Sequence, residues 1–479
     1  MLSLGQATFT SIANQGPGTS VAVNFAFAAL FAGSGLPLTM VLALIATLFL
    51  ANTLGQFSRH LSSAAGFGQY VSRGLGPKAG FFTAWSALLY GILFPATNSV
   101  LVSWFVSDQI AAATGWRIPW EAICIILIAA MWLIAFRGIA GSAKTSLILG
   151  ALEITVFVGL AIALIVKAGH HNSVTPFTHS PGPFGLAWGM IFGFLSFSGF
   201  EGVASLAEET KEPRRYVGRA AFMSVAITGT FFVLLAYAGE VGWGINKMNG
   251  PGSGVFSADP FAYGTLASMI WGPAHWIILF IVLNSNFAAG LAGMNFAARY
   301  MYSLGRVGVL PRRLGVIHPT HKTPATAIHA MGLLSLALGV GLGMWWNPVL
   351  AYSFLATLFT FAWILTFSMA NVALPFFYRK EQRNEFRAFK HLILPVVATL
   401  ALIPAVVSPL LPYLPQFKAA GPVAVQVVAT VPLVAVWSAV GVVWARRMRR
   451  EKAAAVASLG RDFDTPPVTP ATSVSLGET

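Results

Sequence analysis

Two short stretches place polar and helix-breaking residues where the surrounding sequence is apolar. One is NQGPGTS, Asn14–Ser20, and the other is SFSGFEG, Ser196–Gly202. Neither pairs a nucleophile with a base. Their chemistry is that of exposed main chain: Pro17 lacks an N–H, and glycines accept dihedrals that other residues avoid, so a helix stops there. A stopped helix offers free carbonyls at the end of its first half, which suit an ammonium. It offers free N–H groups and a positive dipole end at the start of its second half, which suit a carboxylate. Two such breaks side by side could hold both ends of an amino acid.

This logic selects Gly16, Gly18, Thr19 and Ser20 as candidates for a ligand carboxylate, through backbone N–H and hydroxyl groups. Phe197, Ser198 and Gly199 would offer carbonyls to an amine, with Phe200 or Phe197 as an aromatic lid and Tyr90 as a further lining residue. The competing readings are kinks, small-residue helix packing and ordinary aromatic packing. Two lone carboxylates also lie in apolar surroundings: Glu201, inside the second break, and Glu153, in LILGALEITVFVGLAI. Carboxylates in hydrocarbon are costly and mark proton or ion pathways, unless they are satisfied structurally by freed backbone or a neighbouring group.

The elements that position these residues follow from composition. Of 479 residues 56% are hydrophobic and 9% charged, with mean hydropathy +0.73. Soluble chains carry about 25% charged residues, so this is an integral membrane protein. Sustained two-residue alternation is missing, which excludes an outer-membrane barrel. Twelve apolar spans are expected, near 5–33, 36–58, 79–112, 119–136, 146–167, 184–208, 217–242, 273–303, 325–345, 348–377, 391–412 and 421–445. Each is long enough for a helix crossing about 30 Å of hydrocarbon. If the N-terminus is cytoplasmic, the external connections hold Arg117, Lys167, Lys247 and Lys418, and the other 25 of 29 basic residues fall inside. That asymmetry predicts a multi-pass protein of the cell membrane with both termini in the cytoplasm. It also accounts for the net charge of +14 without nucleic acid.

The expected organisation is a transporter domain over 1–450 and a Pro/Ser/Thr-rich disordered cytoplasmic tail over 451–479. Met1–Gly5 lacks the charged start of a signal peptide. The single cysteine, Cys124, lies within a span, so no internal disulfide can form. No nucleotide loop or metal-ligand cluster is present, so no cofactor, enzyme activity or ATP-driven pumping is expected. Asp108 is expected to be solvated. Glu208, Glu209 and Glu212 with Lys211, Arg214 and Arg215 read as a charge network at a helix end. The breaks fall in spans one and six, five spans apart, as expected of two five-helix repeats in inverted topology: about 5–167 and 184–377, followed by extra helices near 391–445. Interrupted segments at matching positions of two halves point to a central binding site.

Three passages extend this reading. GFLSFSGFEGVASLAEETKEPRRYVGRA, ARYMYSLGRVGVLPRRLGVIHPTHKTPATAI and SRHLSSAAGFGQYVSRGLGPKAGF, in part or whole between Arg59 and Ile328, resemble signatures of the amino acid–polyamine–organocation transporter superfamily. There are departures: Gly18-Thr19-Ser20 stands where the family's first break usually runs Gly-Ser/Thr-Gly, and Gly305-Arg306-Val307-Gly308 where Gly-Arg-Asp-Gly is frequent. The resemblance implies an all-α fold of two inverted five-helix repeats plus two C-terminal helices, with helices one and six broken. It implies secondary transport of amino acids or related amines, with Glu201 in coupling between site and gate. It places Glu153 opposite helices one and eight as a proton-titrating candidate, with Gly290 and Leu291 as the facing positions of span eight, which lack the hydroxyls of a sodium site. Symport and exchange both remain open, as does a non-transporting amino acid sensor. A channel fits central broken helices less well. Helper-subunit relatives link through an external cysteine, so no obligatory protein partner is expected.

Overall fold

The computed structural model describes residues 1–61, 66–138, 143–178, 182–250, 254–259, 261–306, 308–411 and 421–451. The tail from residue 452, Lys418, and the side chains of Lys144, Glu208 and Glu209 lie outside the described residues. The described chain is helical throughout, and its only β-pairing is an isolated bridge between Leu2 and Thr210. Eleven stretches are long and apolar enough to cross a bilayer. The first, Leu4–Ser58, has 55 residues and is interrupted at Gly33–Gly35. A continuous helix of that length would run about 80 Å, more than twice the hydrocarbon thickness.

The chain begins with α1 (Leu4–Gln15), capped by reciprocal hydrogen bonds between Ser3 and Gln6. It continues through α2 (Phe25–Ala32), α3 (Leu36–Ser58), the short α4 (Gly66–Leu75) and α5 (Pro77–Thr114). Next come α6 (Trp120–Arg137), α7 (Ala143–Ala168), α8 (Pro183–Phe197) and α9 (Pro213–Trp243). The remaining helices are α10 (Ala262–Trp271), α11 (Trp276–Arg306), α12 (Ala325–Trp345), α13 (Pro348–Glu381), α14 (Leu394–Val407) and α15 (Pro422–Glu451). α10 lies between the spans expected near 217–242 and 273–303. Asp259 starts it, accepting from the Phe261 N–H and the Thr265 hydroxyl, both at 2.7 Å.

Burial divides the bundle. α5 and α13 are enclosed along most of their length, whereas α6 and α15 turn residues such as Ile126, Leu133, Val436 and Val443 outward. A helix that is apolar all round can serve either place, because lipid and protein interior are both apolar. α15 is held to α5 by a reciprocal tryptophan pair: Trp85 Nε1 donates to the Trp437 carbonyl at 3.0 Å, and Trp437 Nε1 to the Trp85 carbonyl at 3.1 Å. The rings stack at 4.4 Å.

A central cavity between two broken helices

Both expected breaks are present. α1 ends at Gly16, whose φ of +56° is the left-handed conformation that glycine adopts freely. Pro17–Thr19 makes one turn, and Ser20–Asn24 is wound as a π-helix before α2 begins. α8 ends at Ser198 in extended conformation, Gly199 has φ +104°, and Phe200–Glu209 continues as a 3₁₀-helix. Ten residues of 3₁₀ are unusual, and both 3₁₀ and π segments recur at functional sites.

The two breaks touch. A Cβ added to Gly199 would lie 2.4 Å from the Asn14 carbonyl oxygen. The Ser11 hydroxyl donates to the Phe200 carbonyl at 3.0 Å, and Asn24 Nδ2 donates to the Ser196 hydroxyl at 2.9 Å. Beside them lies a cavity lined by Gln15, Thr19, Ser20, Val23 and Asn24 from the first break, Phe94, Thr97, Asn98 and Val102 of α5, Leu195 of α8 and Tyr352 of α13. Its free volume is ≈ 20 Å³, room for about one water. Admitting a larger molecule requires these walls to move apart. The Tyr352 hydroxyl donates to Asn24 Oδ1, closing the α2–α13 side.

Glu153 stands behind the first break. Its Oε1 accepts the Gly18 N–H and, at 2.7 Å, the Ser285 hydroxyl of α11. Ser285 Oγ in turn lies 3.1 and 3.2 Å from the N–H groups of Gly18 and Thr19. The Thr19 hydroxyl donates to the Val282 carbonyl at 3.2 Å. A protein carboxylate thus sits at the positive end of a helical turn, tying α7, the first break and α11 together. Glu201 does the same for the second break: its Oε2 accepts the Gly199 N–H and its Oε1 the Trp363 indole N–H of α13, both at 3.0 Å. Both carboxylates are buried.

The sequence-expected residues fall into three groups. Thr19 and Ser20 line the cavity. Gly16 and Gly18 lie behind it: Gly16 N–H donates to the Ala13 carbonyl, and Gly18 N–H is taken by Glu153 and Ser285. Phe197, Ser198, Gly199, Phe200 and Tyr90 are not among its lining residues. Phe197 packs edge-on to Phe232, Phe200 against Trp363 and Phe367, and Tyr90 against Phe296 and Phe359. The reason is register: α8 reaches the cavity one turn earlier, at Leu195, and α5 reaches it one turn later, from Phe94. The span-eight alignment is also corrected. Ser285 faces Glu153, whereas Gly290 meets Met131 of α6. Gln15, Asn24, Asn98, Ser285 and Tyr352 were not singled out in sequence. The available signal was their polarity inside apolar spans, where an amide or hydroxyl demands a partner. Among the helix-end charges, Arg215 lies 3.3 Å from Glu212, and Asp108 pairs loosely with Arg117 at 3.4 Å on an exposed surface.

The structure is thus an all-helical bundle with eleven stretches long and apolar enough to cross a bilayer and two interrupted helices that meet beside a small cavity. Among the described residues no group of three or more His, Cys, Asp or Glu could hold a metal ion. The chain belongs to the amino acid permease family, whose model matches residues 2–440. It is 26% identical over 375 residues to the low-affinity putrescine importer PlaP of Escherichia coli (strain K12), covering 76% of this chain and 79% of that protein. It is also 26% identical over 432 residues to the branched-chain amino acid permease BcaP of Bacillus subtilis (strain 168), covering 81% and 82%.

Proposed function

We propose that this protein is a proton-coupled secondary transporter carrying amino acids or related amines across the cell membrane by alternating access, with both termini in the cytoplasm. The observation that carries this reading is Glu153 bound at once to the first break and to Ser285 of α11. As an anion, Glu153 makes charge-assisted bonds to both, which are stronger than neutral ones. As a neutral acid it accepts more weakly, and the break is freer to move against α7 and α11. Protonation and rearrangement of the cavity wall are thereby linked at one atom. Glu201 links the second break to α13 in the same manner, through Trp363.

In this reading the two interrupted helices open two inverted five-helix halves that rock about the cavity. The substrate lies against Thr19, Ser20, Asn24, Asn98 and Tyr352, whose hydroxyl and amide groups bond its carboxylate and amine.

The test is uptake into proteoliposomes with and without an inward proton gradient, alongside counterflow. A carrier exchanges labelled for unlabelled substrate, whereas a sensor or channel gives no counterflow. Glu153→Gln keeps an acceptor for the Gly18 N–H but cannot titrate. It is expected to abolish gradient-driven accumulation while sparing exchange. Unchanged accumulation in the variant removes Glu153 from coupling, and gradient-independent uptake by the wild type makes the protein an exchanger.

A further inference from the structure

Resting on that transport reading, we infer that the substrate is an amino acid with an uncharged, mainly apolar side chain, and not a diamine or a cationic amino acid. The inference comes from what lines the cavity. Its polar groups are amides and hydroxyls, and none of its described lining residues is an acid, a base or a histidine. The rest of the lining, Val23, Phe94, Val102 and Leu195, is apolar.

A zwitterion fits such a chamber. Its two charges are close together and opposite, so neutral hydrogen-bonding groups can satisfy both. Its side chain then faces the apolar lining and gains by burial. A diamine has a second ammonium several carbons from the first, and a cationic amino acid has one at its side-chain end. That charge would meet Val, Phe or Leu with no counter-ion, and burying an unpaired charge is prohibitive.

The three buried carboxylates among the described residues do not answer it. Glu153 does not line the cavity and is spent on Gly18 N–H and Ser285. Glu201 is engaged by Gly199 N–H and Trp363. Glu240, on α9, is buried with neither oxygen hydrogen-bonded, and it does not line the cavity. An anionic side chain is disfavoured for the same reason, since none of the described lining residues is a lysine or arginine.

The experiment is competition in proteoliposomes of the full-length protein. Labelled leucine, valine and alanine are tested for uptake and counterflow, and unlabelled leucine, valine, putrescine, arginine, lysine and glutamate as competitors. The expected result is saturable uptake of at least one neutral amino acid, with putrescine, arginine and lysine on the order of 100-fold weaker as competitors. Putrescine or arginine competing as well as the neutral amino acids overturns the inference and leaves the transport reading standing. Neither uptake nor counterflow of any compound, each also supplied labelled, brings down the transport reading and this inference with it.

A second arm places a charge in the cavity. Asn98→Asp changes one atom and is expected to improve putrescine competition at least about tenfold while weakening leucine. An Asn98→Asp protein that elutes and melts like the wild type, yet keeps the wild-type ranking of competitors, overturns the claim that cavity charge sets selectivity.

Discussion

Replacing Gly199 by alanine tests the geometry from which the rest follows. Two penalties can be read at that position. The first is conformational: φ is +104°, and an L-residue with a Cβ held in such a region costs about 1–3 kcal/mol. The second is steric. The new methyl carbon would stand 2.4 Å from the Asn14 carbonyl oxygen and 3.1 Å from the Gln15 nitrogen. Both obstacles are backbone, so neither can swing away as a side-chain end would. Reaching an ordinary contact requires the two breaks to separate by about 1 Å, and overpacking a filled interior costs about 1–3 kcal/mol. Together these come to about 2–6 kcal/mol, directed at the junction between the two breaks. The expected outcome is a large drop in melting temperature in detergent and loss of counterflow in proteoliposomes. Gly159→Ala is the internal control. Gly159 lies within α7 with nothing inside 4 Å of an added Cβ, so alanine there is neutral or stabilising by up to about 1 kcal/mol. If Gly199→Ala melts and transports like Gly159→Ala, the two breaks do not pack as described, and the case for a shared cavity fails.

Ser285→Ala removes the hydroxyl shared by Glu153, Gly18 and Thr19. It leaves the buried Thr19 N–H without its acceptor, at about 1–3 kcal/mol; gradient-driven accumulation should fall while counterflow persists, read by running both assays on one preparation. Trp437→Ala deletes the stacked, doubly hydrogen-bonded contact between α15 and α5. It should cost about 3–5 kcal/mol of stability and leave KM for transport unchanged, since neither tryptophan lines the cavity; a changed KM with an unchanged melting temperature would reverse that assignment.

How far the sequence carried this reading depends on what each kind of residue reports. Spans were legible because hydrocarbon thickness imposes a minimum apolar length, and few residues survive there without cause. The breaks were legible because Gly16, Pro17 and Gly199 act through their own backbone, which needs no knowledge of neighbours. Glu153 and Glu201 stood out by cost alone. Orientation around a helix was not legible. The span holding Tyr90 and Asn98 is apolar on every side, so no stripe marks the inward face, and an offset of one or two turns moved the expected lining from Phe94, Thr97 and Asn98 to Tyr90. A break concentrates polarity over several residues, yet the cavity is reached only where neighbouring helices leave space. For α8 that is Leu195, before the break rather than in it.

The same limit explains the reassignment of Gly18. An N–H freed by a broken helix must be satisfied within a bilayer, but nothing local says by whom. In this protein the partner is Glu153, 135 residues away, with Ser285 at 267. An internal carboxylate at that place argues for a division of labour between two polar regions. The amides of Gly18 and Thr19 hold the group proposed to take the proton, whereas the side chains of Thr19, Ser20 and Asn24 face the space proposed for substrate. This short segment therefore adjoins both: Thr19 lines the cavity, while its N–H and hydroxyl bond to Ser285 and Val282 of α11. Coupling needs no long path: a shift of this segment by the length of a hydrogen bond changes both sites together.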